Sequence, residues 1–264
     1  MKVYTYIAKM RIERALAYRF QVISAIFFQG LLMFAAAFFW KALYADSTAK
    51  VSGVGQREML IYTILATFIT CLLQVDVENR MIDGVRKGSI AMDMIKPVNL
   101  FGTFFAEDLG KLLVVFIQNA LPLLIIGALF IQIPVPASAF DGLLAFLSFV
   151  ISYLINWLFA AVFGMWAFTA ISIRPMIEIK KHFLALLSGA IIPIWFFPQW
   201  LQNILNVLPF RYIYQLPLSI YIGKLDRKTT FVELGIQIVW LVAFFLLFSF
   251  CSRRVTKKVL VQGG

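Results

Sequence analysis

Acidic and ionisable side chains are scarce in this sequence. Only 13 of its 264 residues are Asp or Glu, one is His, and charged residues make up 14% of the chain. Hydrophobic residues make up 62%, against roughly 45–50% in an ordinary globular domain. A water-soluble fold of this size needs more polar surface than that. These proportions exclude disordered, collagen-like and soluble globular classes, and they indicate an integral membrane protein.

Several chemical motifs are also missing. No segment matches the phosphate-binding pattern GxxxxGK[ST], so the chain has no ATP-binding loop of that type. The single His182 has no metal-ligand spacing around it. The two cysteines, Cys71 and Cys251, lie in apolar runs, which argues against a disulfide. We therefore predict that this chain holds no catalytic residue, no metal and no cofactor.

What the sequence has instead is long uncharged runs. Six of them are 17 to 32 residues long, and a helix needs about 20 apolar residues to cross a hydrocarbon core of about 30 Å. We therefore predict an all-α membrane protein, with a single transmembrane domain over 1–264 and six transmembrane helices. The predicted spans are 20–43, 57–79, 109–132, 142–173, 176–192 and 231–252.

Three further segments complete the predicted architecture. Residues 1–19 are expected to form an interfacial helix before the first span, and the alternative is a simple basic flank. Residues 80–108 form the largest loop. Residues 193–223 are broken by prolines and are expected to re-enter the membrane as a helical hairpin between the fifth and sixth spans. The alternative for this hairpin is an amphipathic loop that lies on the surface.

Lys and Arg residues predict the orientation. With six spans, 17 of the 24 basic residues lie on the side of both termini, and 7 lie on the other side. This bias puts both termini in the cytoplasm of a multi-pass protein of the cell (plasma) membrane. The net charge of +11 then reflects cytoplasmic loops, and no nucleic-acid partner is expected.

Charged residues are absent from every predicted bilayer midplane, although secondary carriers usually need such groups there. The nearest carboxylates, at the inner ends of the second and third spans, are expected to be solvated. They are Asp76, Glu78, Glu107 and Asp108. Pro122 predicts a kink in the third span.

Two stretches of sequence resemble a known family. The first comprises Gly88-Ser89-Ile90, Met94-Ile95-Lys96-Pro97-Val98-Asn99 and Asp108-Leu109-Gly110. The second comprises Ser188-Gly189-Ala190-Ile191-Ile192-Pro193, Phe197-Pro198-Gln199-Trp200-Leu201, Leu208-Pro209-Phe210, and Pro217 before Gly223. With six spans, the whole chain resembles the permease subunit of ABC-2-type transporters, in a bacterial branch of permeases of about this length.

The resemblance implies a role for each of three segments. The N-terminal segment is implied to be an elbow helix, marked by Val3, Ile7, Met10 and Arg14. A coupling helix is implied to dock on a separate ATP-binding subunit, and it comprises Met81, Ile82, Asp83, Gly84, Val85, Arg86 and Lys87. The outer gate is implied to be the hairpin that contains Pro193, Pro198, Trp200, Pro209 and Pro217.

Partners and cofactors follow from the same resemblance. ATP and Mg are expected on the partner ATP-binding subunit, and a second permease, the same or a related chain, is expected to complete a dimer in the lipid bilayer. Such transporters work by alternating access, usually as exporters in multidrug or antimicrobial efflux.

The possible translocation pathway is predicted from side chains that share a helix face. The candidates are Thr63, Thr67 and Thr70 in the second span, and Phe183, Leu187 and Ala190 in the fifth. Such an aromatic, uncharged route suits an amphipathic, lipid-like or drug-like substrate. The alternatives are a non-transporting scaffold or sensor attached to an ATPase, or a secondary carrier or channel.

Overall fold

The computed structural model describes residues 2–16, 19–45, 54–130, 138–169 and 173–262, and the regular structure in these ranges is helical. The α-helices are α1 (Lys2–Leu16), α2 (Arg19–Leu43), α3 (Gln56–Leu72), α4 (Val77–Arg86), α5 (Ser89–Ile95), α6 (Leu100–Val115), α7 (Leu121–Phe130), α8 (Ala139–Gly164), α9 (Arg174–Leu187), α10 (Gln199–Val207), α11 (Gln215–Tyr221) and α12 (Arg227–Gln262). A π-helical turn covers Phe116–Ala120, and 3-10 turns cover Met165–Phe168, Ile194–Phe196 and Pro209–Tyr212.

Five stretches of the described chain are long and apolar enough to cross a membrane, which makes this a multi-pass membrane protein. They are Val22–Leu43, Gln56–Arg86, Leu100–Phe130, Ala139–Phe168 and Arg227–Val255. The predicted fifth span corresponds to α9, which has only 14 residues, or about 21 Å of helix. A sixth crossing therefore stays a prediction.

Several helix boundaries differ from the predicted ones for local reasons. The third long helix begins at Leu100, earlier than the predicted 109, because the Asn99 side chain accepts a hydrogen bond from Gly102 N at 2.8 Å and caps it. The second span breaks after Leu72, where Asn156 Nδ2 donates to the carbonyl of Leu73 at 2.7 Å. Three predicted end points, residues 1, 132 and 264, lie outside the described residues, as do residues 17–18 of the predicted interfacial helix and residues 170–172 of the predicted fourth span.

Where the sequence predicts a kink at Pro122, the structure has a π-helical turn just before this proline. Proline has no N–H group, so the carbonyl four residues earlier loses its α-helical donor. In the turn before Pro122, Leu121 N donates to the carbonyl of Phe116, five residues earlier, and this is a π-helical hydrogen bond.

Helix α1 lies along α6. The two backbones approach closely at Gly110, where an added Cβ would lie 2.6 Å from the carbonyl oxygen of Ala8. At the other end of this contact, Asn99 N donates to the Tyr4 hydroxyl at 3.2 Å. A small residue on α6 therefore positions α1.

The bundle has two distinct ends. At one, which we term the basic end, α4 packs against α6, the last turns of α8, and α9. At the other, which we term the hairpin end, residues 190–226 pack against the end of α2 and the starts of α3, α8 and α12. The rings of Trp40 and Phe196 are in contact there, as are those of Tyr62 and Trp195. The most buried candidate spans contain α3 and α8, whereas α2 and α12 are largely exposed.

Candidate coupling site

A fully buried carboxylate lies at the basic end, on α6. Asp108 is 0% exposed and accepts three hydrogen bonds. Its Oδ1 receives Asp76 N at 3.0 Å and Arg80 Nη2 at 2.7 Å, and its Oδ2 receives Trp157 Nε1 at 3.0 Å. The donors lie at the start of α4, within α4 and on α8. One carboxylate thus joins three segments that are separate in sequence.

Further charges surround this carboxylate. The guanidinium of Arg80 also contacts Glu107 Oε2 at 2.9 Å and donates to the carbonyl of Phe104 at 3.0 Å. Lys111 Nζ lies 2.9 Å from Asp76 Oδ1. Because every charge here has an opposite neighbour, the network can remain ionised although it is largely removed from solvent.

A second buried ion pair joins α4 to α9. The side chains of Glu78 and Lys180 are 3% and 8% exposed, and Lys180 Nζ donates to Glu78 Oε1. The Lys180 ammonium also lies 5.3 Å and 5.5 Å from the ring centroids of Phe159 and Phe163. Gly164 permits this packing, because an added Cβ would lie 3.1 Å from Glu78 Cα.

The expectation that these carboxylates are solvated is therefore wrong for Asp108 and Glu78. The sequence places both at the inner ends of spans, but α4, which carries Glu78, packs against α8, and Trp157 of α8 donates to Asp108. No local signal identifies them, because the ion-pair partners lie far apart in sequence: Lys180 pairs with Glu78, and Arg80 pairs with Asp108.

The predicted coupling helix lies at α4, and its apolar side faces into the chain. Met81, Ile82 and Gly84 are buried and Val85 is partly buried, so these residues of the predicted docking helix are not available to a partner. The polar residues are accessible. Arg86 and Lys87 are exposed, with Lys87 in the turn after the helix. Asp83 pairs with Arg174 at 2.9 Å while half exposed.

Exposed apolar side chains occur instead on α5, which sequence reasoning missed. Met92 is 68% exposed and Ile95 is 77% exposed, whereas Ile90 is buried. Gly88, with φ of +68°, makes the left-handed turn that reverses the chain between α4 and α5. The basic end therefore presents an apolar pair beside the exposed basic residues of the turn.

The comparisons with known proteins identify the family. The family model described as "ABC-2 family transporter protein" matches residues 31–262, which is nearly the whole chain. The chain belongs to the ABC-2 transporter family. No curated protein and no solved structure matches it. As an ABC-2 permease the chain is a membrane transport subunit and not itself a catalyst, and the family implies association with an ABC ATP-binding subunit.

The residues predicted for the ABC-2 elbow helix all lie in α1. Val3 is 51% exposed, Met10 is 37% exposed and Ile7 is partly buried. The surface of α1 that includes Tyr4 and Ala8 contacts α6. This arrangement leaves an apolar surface free on α1, and the interfacial role itself stays a prediction.

The predicted outer gate divides into two unlike halves. In the α10 half, Pro198 and Trp200 are exposed, and Trp200, Ile204 and Val207 form an exposed apolar stripe. This half suits the alternative of a helix that lies on the membrane surface. The α11 half is buried against α8 and contains Pro217. Pro193, which precedes one 3-10 turn, and Pro209, which begins another, are buried as well.

Hydrogen bonds satisfy the irregular backbone around α9 and α11. Tyr62 Oη donates to the carbonyl of Gly189 at 2.6 Å, Ile194 N donates to Gln215 Oε1 at 2.7 Å, and Gln215 N donates to Ser188 O at 3.2 Å. Also at the hairpin end, Lys224 Nζ lies 3.8 Å from the ring centroid of Trp195. Burial lowers the pKa of Lys224, which the Glu58 carboxylate partly opposes.

The pathway candidates fall into two sets. Phe183 and Leu187 line a cavity of about 370 Å³ between α8 and α9, and Ala190 packs against the main core. The threonines are not among the residues that line this cavity. Each threonine hydroxyl donates to the carbonyl four residues earlier in α3, at 2.9 Å for Thr63, 3.0 Å for Thr67 and 2.7 Å for Thr70. Their donors are therefore already used within the helix.

Proposed function

We propose that this chain is the membrane-spanning subunit of an ATP-driven ABC exporter that works by alternating access. The observation that carries the proposal is the buried charged network, which joins α4 to α6, α8 and α9. In a family that associates with ATP-binding subunits, a short helix anchored to several long helices is suited to receive a partner's motion.

The contact with the ATP-binding subunit is proposed at the α4–α5 segment. Asp83, Arg86 and Lys87 supply accessible charge, and Met92 and Ile95 supply an exposed apolar contact. ATP and Mg are bound by the partner. Closure of the ATP-binding subunits displaces α4. Because ion pairs join α4 to α6 and α9, this displacement moves the spans and is not absorbed by a flexible loop.

The proposed substrate is amphipathic, lipid-like or drug-like. The cavity beside α9 is lined mainly by aromatic and aliphatic side chains, including Phe159, Phe183 and Phe210. Its one charged lining residue, Lys180, is neutralised by Glu78. An apolar molecule with a polar end suits such a cavity better than a sugar or an inorganic ion does.

Reconstitution with an ATP-binding subunit tests this proposal. We expect the chain to co-purify with an ABC ATP-binding subunit, and the complex in proteoliposomes to show ATPase activity that an amphipathic substrate stimulates. Asp83→Ala and Arg86→Ala should lower the stimulated rate and leave membrane insertion intact. Leu129→Ala, at an 80% exposed position far from α4, is the matched control.

Two results would contradict the proposal. Failure to associate with any ATP-binding subunit would favour a secondary carrier or channel. Association with an ATPase whose rate no substrate changes would indicate a scaffold or sensor subunit.

A further inference from the structure

A second cavity, of about 360 Å³, lies between α2, α3 and α7 towards the hairpin end. Most of its lining residues are apolar, and they are Met33, Phe34, Ala37, Phe38, Leu60, Ile64, Gly127 and Phe130. The other two lining residues, Lys41 and Gln56, are polar. This cavity shares no lining residue with the cavity beside α9, so it is a separate site.

The two polar lining residues lie together at one end of the cavity. Lys41 is in the last turn of α2, Gln56 begins α3, and Gln56 Nε2 donates to the carbonyl of Lys41 at 3.3 Å. From Lys41 back to Met33, and from Gln56 on to Ile64, the wall covers about 12 Å of helix. Half of a hydrocarbon core of about 30 Å is about 15 Å thick. The cavity therefore matches most of the depth of one leaflet, with its polar groups at the membrane surface.

The apolar part of the cavity opens to the outside of the chain between α2 and α7. Phe38 and Phe130 are 67% and 70% exposed, whereas Met33 is only 2% exposed. Behind them α3 and α7 approach closely, because an added Cβ at Gly127 would lie 2.6 Å from Ile64 Cγ2. Walls of this kind offer water no hydrogen bonds, whereas a hydrocarbon chain packs well against them. In a membrane protein, the acyl chains of the bilayer surround such an opening.

Lys41 supplies a positive charge at the polar end. Within the part of the chain that the structure describes, its ammonium group has no ion-pair or hydrogen-bond partner. Gln56 Nε2 carries a second N–H beside it, because only one is used by the Lys41 carbonyl. A phosphate group can accept from both donors. An anionic phospholipid therefore has both parts that this cavity suits, an acyl chain and a negatively charged headgroup.

We propose that this cavity binds an anionic phospholipid of the surrounding bilayer. One acyl chain lies along α2 and α3, and the phosphate lies at Lys41 and Gln56. The apolar wall binds the chain of any phospholipid, whereas the Lys41 charge selects an acidic headgroup. The lipid is a resident ligand and not the transported substrate. This site therefore goes beyond the proposed transport function and does not depend on it.

Native mass spectrometry of the full chain in mild detergent tests the headgroup contact. The probes are phosphatidylglycerol and phosphatidylcholine with the same acyl chains. We expect phosphatidylglycerol to bind about 5-fold more tightly, which is the contribution of one Lys near a membrane surface. Lys41→Gln should remove this preference and Lys41→Arg should keep it. Lys228→Gln, which removes an exposed charge at the same end of the bundle, is the matched control and should keep it as well.

A second pair of variants tests the acyl-chain contact. Ala37→Phe should lower the affinity for both lipids about 10-fold, because a ring in the cavity excludes about two CH₂ groups of the chain. Ala35→Phe, at an exposed position of α2 that does not line the cavity, is the matched control and should leave both affinities unchanged.

Three results would overturn the proposal. Equal effects of Lys41→Gln and Lys228→Gln would show a diffuse surface attraction. Equal effects of Ala37→Phe and Ala35→Phe would show that the chain does not enter the cavity. Displacement of the lipid by glycerol phosphate, which has the headgroup phosphate but no acyl chain, would show a site for free phosphate compounds.

Discussion

The Asp108 carboxylate shows how this protein stabilises a charge that is removed from water. Taking Asp108 out of water costs several kcal/mol. Arg80, the backbone N–H of Asp76 and the indole N–H of Trp157 offset that cost. A buried ion pair is often no more stabilising than well-packed apolar residues, so its main effect here is to hold three particular segments in one arrangement.

We expect Asp108→Asn to destabilise the protein by about 3 kcal/mol, because it leaves the largely buried Arg80 guanidinium without its closest counter-charge and turns an amide N–H₂ towards existing donors. The measurement is thermal unfolding of the purified protein in detergent. Glu107→Gln is the matched control. Glu107 contacts the same arginine but is 30% exposed, so its loss should cost below about 1 kcal/mol. Equal losses for both variants would contradict the special role of Asp108.

Sequence reasoning could identify these residues but not their burial. Asp108 was visible as a charge at the start of a span, yet its environment depends on Trp157 and Asp76, which lie far from it in the sequence. The threonines show the converse problem. Their spacing on one face was readable, whereas the use of their hydroxyls within the helix required coordinates.

The uncharged runs of the sequence predict where the long helices lie, whereas the ends and the contacts of these helices depend on individual residues. This works for the long helices because a segment can cross lipid as a helix when it is long enough and apolar enough, and both properties are read directly from the sequence. The exact ends depend on caps such as Asn99 and on the missing N–H group of Pro122, which shift or distort a helix by several residues. The contact between α1 and α6 depends on Gly110, and one glycine carries no signal of its partner.

That contact leads to a prediction for the element as a whole. Gly110→Ala should loosen α1 from α6, because the new Cβ would lie 2.6 Å from the backbone oxygen of Ala8, and backbone yields less easily than a side chain. We expect a cost of about 1–3 kcal/mol and faster tryptic cleavage at Lys9 in α1. Gly235→Ala in α12 is the matched control, since an added Cβ there meets nothing within 4 Å. Unchanged cleavage at Lys9 in Gly110→Ala would show that α1 is not held by this contact.

At the scale of the whole molecule, the open question is whether α9 completes a sixth crossing. Its length of about 21 Å falls short of a hydrocarbon core of about 30 Å. Protein groups satisfy the backbone where α9 ends, through Tyr62 and Gln215. This is the condition under which irregular backbone is tolerated at membrane depth. The short helix and the buried half of the hairpin can therefore cross together.

Thiol labelling separates five crossings from six. In a Cys251→Ser background, with the buried Cys71 retained, Tyr6→Cys on α1 and Arg253→Cys near the end of the last span place reporters at exposed positions. If α9 and the hairpin complete a sixth crossing, an impermeant maleimide should label both variants only after the cells are permeabilised, because both ends then lie in the cytoplasm. Trp200→Cys, which is 65% exposed at the hairpin end, should be labelled in intact cells and serves as the control. Labelling of Tyr6→Cys and Arg253→Cys from opposite faces would leave an odd number of crossings. The proline-broken segment would then lie wholly on one surface, and it could not serve as a gate at membrane depth.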